Sequence, residues 1–498
     1  VSDGVLVGDH NCWRLRGHLR PSADLRELIA ARLDTLTGAE LDVIEVVSAA
    51  EVLAWDVLLA ICGPEAVAQA ERRGAINVTS DGFLVQTCHP IVGEVVRSRC
   101  RVARLRQINT LLAQQLSAHL QSAGDPAATD VRARIQLARF MTGADVPADP
   151  GVIVEAAAGA VTMSNLGLGE HLARFALEHG GGGQAAIVLA DAIGWQGRGR
   201  EAEDLLAEWE PGHDDEPTVA RWGCLRAANL FFGCGQLASA RAVLATVRDR
   251  VRSAQMLSLA TAMDVAFAFF SGDLPDAIAL GTAALDPAML AQAIPDAVVW
   301  TSLATAGALA LSGRFSEVSA AAAAGERAAA QCESGPQRYA LALAEVLAST
   351  AAGTLGAAQQ VCDRYAAMSE GAPADCAGPT IATALIGRVE LARGRLDAAC
   401  RSLQTSVFTM PDGLPPGWPM LVASWLAQAE AARGDIDAAA AAVAKAEAAQ
   451  GPQVNVFAPE LELARAWLAA ASGETSTAQQ HAERAAQVEC AVLITGET

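Results

Sequence analysis

One short phrase recurs along most of the chain at an almost constant spacing. The segments ARGRLDAA (392–399), LSGRFSEV (311–318), ARGDIDAA (432–439) and FSGDLPDA (270–277) share a glycine that is followed five residues later by alanine or valine. The repeated glycines are Gly197, Gly235, Gly272, Gly313, Gly353, Gly394, Gly434 and Gly473, and neighbouring copies are 37–41 residues apart. Eight copies at such a period predict a solenoid built from stacked supersecondary units.

Each copy predicts two helices that are joined at the glycine. Apolar residues recur at helical spacing before it, as in Ile381, Leu385 and Val389. The glycine ends the first helix, because the left-handed backbone conformation that is common at a helix end costs least at glycine. One helical hairpin cannot bury both faces, whereas about three stacked hairpins can. We therefore expect an all-α fold with a helical-repeat superhelix that resembles the tetratricopeptide type. Residues 125–190 should hold one or two degenerate copies, with HGGGGQ (179–184) as a turn.

Composition supports this fold and argues against several functional classes. The 498 residues are 52% apolar but only 4% aromatic, and much of the apolar share is alanine, the best helix former. No apolar run reaches the ~20 residues of a membrane span. The net charge of −20 argues against a nucleic-acid surface. Lys445 is the only lysine, so the chain has no phosphate-binding loop of the G-x-x-x-x-G-K-[ST] type. Eleven scattered cysteines indicate buried free thiols in a reducing cytoplasm.

The first 122 residues follow a different pattern. Residues 25–63 predict three short amphipathic helices, and 64–78 predict a fourth that starts at Pro64. A hairpin around Ser80-Asp81-Gly82 and a closing helix complete a winged-helix plan. We divide the chain into a winged-helix domain (1–122) and a sensor domain (123–498). The five arginines of RSRCRVARLR (97–106) are compatible with a DNA patch, a solvated helix face or a surface for a neighbouring domain.

At this point the sequence resembles a known family. The segments LRGHLRPSADLRELIAARLDTLTGAELDVIEVVS and LVQTCHPIVGEVVRSR, with RAWLAAASGE near the end, are similar to LuxR-type large ATP-binding regulators. These are MalT-like members of the STAND class of signalling ATPases. The resemblance implies a cytoplasmic regulator of which this chain is the middle and sensor portion. The ATPase module, with its ATP or ADP and magnesium, and a DNA-binding helix-turn-helix would lie outside it, and Val1 as first residue fits a fragment. The alternative is a natural variant that lacks the DNA-binding end.

The resemblance gives His89 a role. A winged-helix histidine at this place resembles a sensor that contacts the β-phosphate of ADP in the family's ATPase module. An imidazole N–H can donate a charge-assisted hydrogen bond to a phosphate. The alternative is that His89 caps a helix or belongs to the core.

A second set of residues is predicted to bind an effector. Such arrays use the concave face, which is lined by the first helix of each pair. The large or polar residues on those helices are Trp222, Arg226, Asn229, Trp300, Arg338, Tyr339, Arg388 and Trp418. Aromatic faces beside hydrogen-bonding groups suit a di- or oligosaccharide, and the resemblance implies a small-molecule effector. The alternative is that each tryptophan fills the core between repeats, as we predict for Trp425 and Trp467.

Three functions are compatible with these observations. The first is effector sensing by part of a signal-responsive transcriptional regulator, in which the sensor would contact its own ATPase module. The second is a scaffold whose concave face binds a peptide or partner protein. The third is an α/α-toroid glycosidase. Such barrels need facing carboxylates in an aromatic-rich cleft, and this function is disfavoured because the chain is only 4% aromatic and has an open repeat period. The eight histidines show no metal-ligand spacing, and GHDDEP (212–217) is typical of a solvated turn. We expect no catalytic activity and no membrane partner.

Overall fold

The computed structural model describes residues 6–9, 12–15, 22–122, 131–145, 147–163, 165–212, 215–332, 337–369, 377–410 and 417–494. These residues form an all-α fold with short β-strands near the start of the chain. They divide into two compact units. The first unit comprises Val1–Gly159 and His171–Ala185, and the second comprises Ala160–Glu170 and Ala186–Thr498.

The first unit contains the four predicted helices, the hairpin and the closing helix. Its elements are β1 (Leu6–Asp9), β2 (Cys12–Leu15), α1 (Ala23–Leu33), α2 (Gly38–Ala50), β3 (Val52–Ala54), α3 (Trp55–Cys62), α4 (Pro64–Arg72), β4 (Ile76–Val78), β5 (Leu84–Thr87), α5 (Pro90–Arg99), α6 (Val102–Ser122) and α7 (Val131–Thr142). Strands β3, β5 and β4 form one antiparallel sheet in that order, in which Val85 is paired with both Leu53 and Val78. The predicted hairpin is confirmed. Strand β3 was not predicted, because VLA continues the apolar pattern of α2.

Most arginines of the segment 97–106 form ion pairs inside the first unit. Four of its five arginines contact carboxylates there, and these pairs connect α5 and α6 to neighbouring elements or stabilise α5 itself. The pairs are Arg97–Glu94 (2.8 Å), Arg99–Asp34 (2.8 Å), Arg104–Glu45 (2.9 Å) and Arg106–Asp145 (3.5 Å). Such partly exposed pairs contribute at most about 1 kcal/mol each. This arrangement favours a solvated, ion-paired helix face over a DNA patch.

Three helices, α8 (Pro150–Thr162), α9 (Leu166–Glu178) and α10 (Gly182–Trp195), include residues of both units. Residues 179–181 of the predicted turn lie between α9 and α10, where Gly180 has φ +94°, and residues 182–184 already belong to α10. From α10 onward the described residues form eight helix pairs. The remaining members are α11 (Gly199–Glu208), α12 (Glu216–Ala228), α13 (Leu237–Arg250), α14 (Ala254–Ser271), α15 (Leu274–Ala284), α17 (Pro295–Leu311), α18 (Phe315–Ala329), α19 (Arg338–Ala351), α20 (Leu355–Met368), α21 (Ala377–Ala392), α22 (Leu396–Thr409), α23 (Trp418–Arg433), α24 (Ile436–Ala448), α25 (Ala458–Ala471) and α26 (Thr475–Ile494), with the short α16 (Pro287–Leu290) between the third and fourth pairs.

The repeated glycine has the predicted role in every pair. All eight glycines have φ between +68° and +91° and lie between the two helices of a pair. In seven pairs the next residue donates its N–H to the carbonyl five residues earlier, as from Asp273 to Ala268 (2.9 Å). This is the bond of a Schellman turn. In the second pair, Gln236 donates to Leu230, six residues earlier, because a π-helical segment (Asn229–Gly233) inserts one residue before the turn.

The alanine or valine that stands five residues after each glycine packs where two helices approach each other. Seven of the eight are at most 1% exposed: Ala202, Ala240, Ala277, Val318, Ala358, Ala399 and Ala439. The eighth, Ala478, is partly exposed in the last pair. Within the described part of the chain, α14 alone has the length and apolar composition of a helix that could cross a membrane. Half of that helix is buried, as in a core helix.

Candidate functional site

The connector between α24 and α25 contacts a helix that lies far away in the sequence. This connector is a 3-10 segment, Pro452–Phe457. The side-chain nitrogen Nδ2 of Asn455 donates to the backbone carbonyl of Ser271, the last residue of α14, at 3.1 Å. The ring of Phe457 lies nearly perpendicular to Phe269 and Phe270, with centroid distances of 6.1 and 6.3 Å. These contacts join the third helix pair to the connector between the seventh and eighth pairs.

The connector covers an aromatic interior. We call Phe269, Phe270, Trp300, Trp418 and Phe457 the inner cluster. Together with leucine and alanine side chains, Gly307 and Gln337, they line a void of about 30 Å³. Such a void has room for only one or two water molecules, since one water needs roughly 10–15 Å³. Five of the chain's 22 Phe, Trp and Tyr residues thus meet at one place. As it stands, the interior is too small for a ligand of sugar or peptide size.

A larger groove lies directly beside the inner cluster. Its volume is about 860 Å³, within the ~300–1,000 Å³ typical of ligand sites. The floor is formed by Leu311, Leu347, Leu421 and Phe457, which also line the void. The rest of the lining is mixed. Its apolar members are Leu274, Pro275, Val456, Ala458 and Pro459, and its polar members are Ser271, Asp273, Asn455, Glu460, Glu462, Arg484 and Gln487. The groove thus combines an apolar floor with a polar rim, and we take it as the candidate functional site.

Some charged groups at the rim have partners of opposite charge, and others do not. Glu462 contacts Arg465 (2.5 Å), His481 (2.7 Å) and Arg484 (3.3 Å). Burial alone would raise the pKa of Glu462, but the hydrogen bonds from His481 and Arg465 outweigh burial and hold this pKa below its usual value. Asp273 and Glu460 have no cationic partner among the residues that the structure describes. The rim is therefore net negative.

Three of the predicted effector residues contact the preceding helix instead of the groove. Trp222, Arg226 and Asn229 lie on one face of the helix that begins at α12, and this face packs on α11. Their partners on α11 run in the opposite direction: Nε1 of Trp222 donates to the carbonyl of Leu206 (2.8 Å), Arg226 pairs with Glu203 (2.7 Å) and Nδ2 of Asn229 donates to the carbonyl of Gly199 (2.8 Å). Trp222 is only 2% exposed. Their helical spacing is as predicted, and the structure gives them a packing role.

The structure distributes the other predicted effector residues among different environments. Trp300 and Trp418 belong to the inner cluster. Tyr339 is buried, and its hydroxyl is hydrogen-bonded to Ser369 (2.9 Å). Arg338 is partly buried at the start of α19, and Arg388 lies over the ring of Trp425 at 5.9 Å from its centroid. The structure thus brings only two of the eight residues together at the interior, and the effector role of the set stays a prediction.

Two tryptophans were predicted to belong to the core. Trp425 is fully buried, as predicted. Trp467 is 49% exposed, so its assignment to the core was wrong. It lies on α25, in the last helix pair, where no further repeat follows among the described residues to cover that face.

His89 begins α5 as its N-cap. Its Nδ1 accepts a hydrogen bond from the backbone N–H of Ile91 at 3.2 Å, and the side chain is exposed. This geometry matches the helix-capping alternative, since an N-cap side chain satisfies a free N–H of the first turn. Contact with a nucleotide was the other interpretation, and it stays a prediction.

No protein-family model and no curated protein matches the chain. Solved structures with a similar arrangement include the STAND protein with a tetratricopeptide repeat sensor PH0952 from Pyrococcus horikoshii (11% identity, TM-score 0.39). That match covers 95% of this chain and 66% of the other. Another is the Rap protein complexed with Competence and Sporulation Factor (12% identity, TM-score 0.46), with 69% of this chain and 98% of that one covered. This chain therefore spans about two thirds of the STAND protein, and likenesses of this size carry no argument about function.

Sequence reasoning missed the groove because its floor comes from distant parts of the chain. A signal was present in GPQVNVFAPE (451–460), where Val454, Val456 and Phe457 stand in a segment with two prolines. Apolar residues in a connector indicate a connector that packs on something. A second signal was the paired phenylalanines just before the turns at Gly235 and Gly272. Within the described ranges, no group of three or more His, Cys, Asp or Glu side chains is placed to hold a metal ion.

Proposed function

We propose that the second unit is a binding module that holds a peptide segment of a partner protein in the groove beside the inner cluster. The groove itself carries the proposal: its volume of about 860 Å³ and its apolar floor suit a few side chains of a peptide. The unit would then act as a scaffold or sensor, since a helical-repeat array offers an extended surface without needing catalytic groups.

The chemistry of the walls favours a peptide over a sugar. The floor consists of three leucines and one phenylalanine. A sugar hydroxyl that is buried there without a hydrogen-bond partner would lose roughly 1–3 kcal/mol, whereas an apolar side chain gains from leaving water. The polar groups stand at the rim, where the backbone of a peptide could use Asn455 and Gln487.

A filled-groove variant tests the proposal. Random peptides displayed on phage would be selected on the whole chain, and their affinities measured by fluorescence polarisation. Leu311→Trp places a large ring in the floor, and Leu280→Trp is the matched control, because Leu280 is 43% exposed on α15 and does not line the groove. We expect selected peptides to bind the wild type and the control but to bind Leu311→Trp at least tenfold more weakly. Equal binding to both variants, or the absence of selected peptides, would contradict the proposal.

A second candidate is the more specific one that the family resemblance implies. In it the chain is the sensor portion of a cytoplasmic, MalT-like transcriptional regulator, and a sugar is its effector. Its support is that Trp300 and Trp418 both face the interior, where an opening of the connector would expose them. Calorimetry with a panel of di- and oligosaccharides tests it. Heat of binding that Trp300→Leu abolishes would favour this candidate, and the absence of heat with every sugar would remove it.

In that candidate, nucleotide and magnesium would be held by the ATPase module, since the present chain has no phosphate-binding loop. His89 could contribute through Nε2 only, because Nδ1 accepts the N–H of Ile91. The test is ADP retention by a protein that contains the ATPase module, with His89→Ala compared with His89→Asn, which keeps a capping side chain. Equal retention by both variants and the wild type would refute a nucleotide role.

A further inference from the structure

The rim of the groove contains four ionisable side chains, of which two contact an opposite charge and two do not. Arg484 and Glu462 contact each other, and Glu462 also has Arg465 and His481 beside it. The other two, Asp273 and Glu460, contact only uncharged donors. Oδ1 of Asp273 accepts the backbone N–H of Asp276 (3.3 Å), and Oε2 of Glu460 accepts from the side-chain amide of Gln428 (2.9 Å).

These two carboxylates are only partly neutralised by their surroundings. Each stands at the start of a helix, Asp273 as the N-cap of α15 and Glu460 in the first turn of α25. A helix N-terminus offsets only about half an elementary charge. No Arg, Lys or His side chain in the described ranges lies within ion-pair distance of either one. Both line the same groove, above a floor that has no charge of its own.

We infer that the peptide bound in this groove carries a positive charge next to its apolar side chains. The inference rests on the proposed function and adds the chemistry of the partner. Apolar side chains would lie on the floor of Leu311, Leu347 and Leu421, and a cationic group would lie at the rim near Asp273 and Glu460. The chain's net charge of −20 also attracts a cationic partner over longer distances and speeds association at low ionic strength.

The test uses defined probes. Three pools of N-acetylated, amidated heptapeptides share leucine and phenylalanine at fixed positions and differ at one position, which is lysine, glutamine or glutamate. A fourth pool contains glutamine at that position and has a free N-terminal amine, which distinguishes a terminal from a side-chain cation. Binding is measured by fluorescence polarisation at low and at high salt.

The variants remove charge and keep the hydrogen bonds. Asn is as good an N-cap as Asp, so Asp273→Asn preserves the start of α15, and Glu460→Gln still offers an acceptor to Gln428. The matched control is Asp437→Asn, at an exposed first-turn position of α24 that does not line the groove. We expect the lysine pool to bind the wild type about tenfold more tightly than the glutamate pool, with a smaller ratio at high salt. The double variant should lose this preference, and the control should keep it.

Three results would overturn different claims. If the pools bind the wild type equally and Leu311→Trp still blocks them, the charge inference fails and the groove remains a peptide site. If Leu311→Trp blocks none of the pools, the proposed function fails. A preference for lysine that survives in the double variant would also refute the role of Asp273 and Glu460.

Discussion

Gly307 lies directly against the ring of Phe269. A Cβ atom at position 307 would be 2.6 Å from Cζ of that ring, closer than any real carbon contact. Gly307 is in the middle of α17 and has an ordinary helical backbone, so the contact alone requires glycine there. The packing of the inner cluster thus depends on the absence of a side chain at position 307 as much as on the aromatic rings.

This contact predicts the effect of adding a single methyl group. Gly307→Ala should lower the free energy of unfolding by about 1–3 kcal/mol, because the ring of Phe269 must move inside a packed core. Gly356→Ala, in α20 with open space around its Cβ, should be neutral or stabilising by up to ~1 kcal/mol. Urea denaturation followed by tryptophan fluorescence measures both, since seven of the nine tryptophans lie in the second unit. Equal effects of the two substitutions would contradict the close contact.

Removal of the ring that covers the interior should have a larger effect. Phe457 is 4% exposed, and Phe457→Ala should destabilise the second unit by about 3–5 kcal/mol. It should also join the void to the groove and increase the binding of an apolar dye such as ANS. Phe83→Ala is the control, because Phe83 is 73% exposed in the first unit. A loss below 1 kcal/mol for Phe457→Ala would mean that the connector does not pack on α14 in solution.

At a repeat glycine, the effect of backbone conformation on stability can be measured without interference from side-chain contacts. Gly394 has φ +70°, and nothing lies within 4 Å of a Cβ placed there. Gly394→Ala should reduce the free energy of unfolding by about 1 kcal/mol, since alanine is strained in the left-handed region. Gly394→Asn should lose less, because asparagine tolerates that region better. Differential scanning calorimetry would show the order, and equal losses for alanine and asparagine would argue against the left-handed turn.

Asp191 makes the stability of the second unit dependent on pH. Burial raises the pKa of Asp191 to about 6, and a hydrogen bond with Trp195 only partly opposes this shift. The folded state therefore binds a proton more tightly than the unfolded state, and stability falls as pH rises from about 4 to about 6. Above pH 6, Asp191→Asn should be more stable than the wild type by roughly 1–3 kcal/mol. Unfolding at pH 4 and pH 8 checks this, and a gap that persists at pH 4 would contradict the assignment.

Local chemistry made much of the fold predictable. The turn glycines, the small residues that follow them and the hairpin at Ser80-Asp81-Gly82 each depend on neighbours within a few residues, so their signals lie within short segments. Strand β3 was not predictable in this way, because its pairing with β5 joins Val52 to Gln86, 34 residues further along the chain.

The candidate site was much less predictable. Helical spacing placed Trp222, Arg226 and Asn229 on one helix face correctly, but periodicity cannot say whether a face contacts solvent or a neighbouring helix. Trp300 and Trp418 come together only because the array curves. That curvature is the sum of many small rotations between successive pairs, so no short segment of the sequence predicts it.

The sequence by itself determined that eight helix pairs form and where each pair turns, because glycine and alanine act through the backbone of their own segment. Only the tertiary structure decided which faces meet, and above all that Asn455 and Phe457 cover the end of α14, 184 residues away. That contact depends on the stacking of all intervening pairs, and it places Phe457 where it lines both the small aromatic void and the groove beside it.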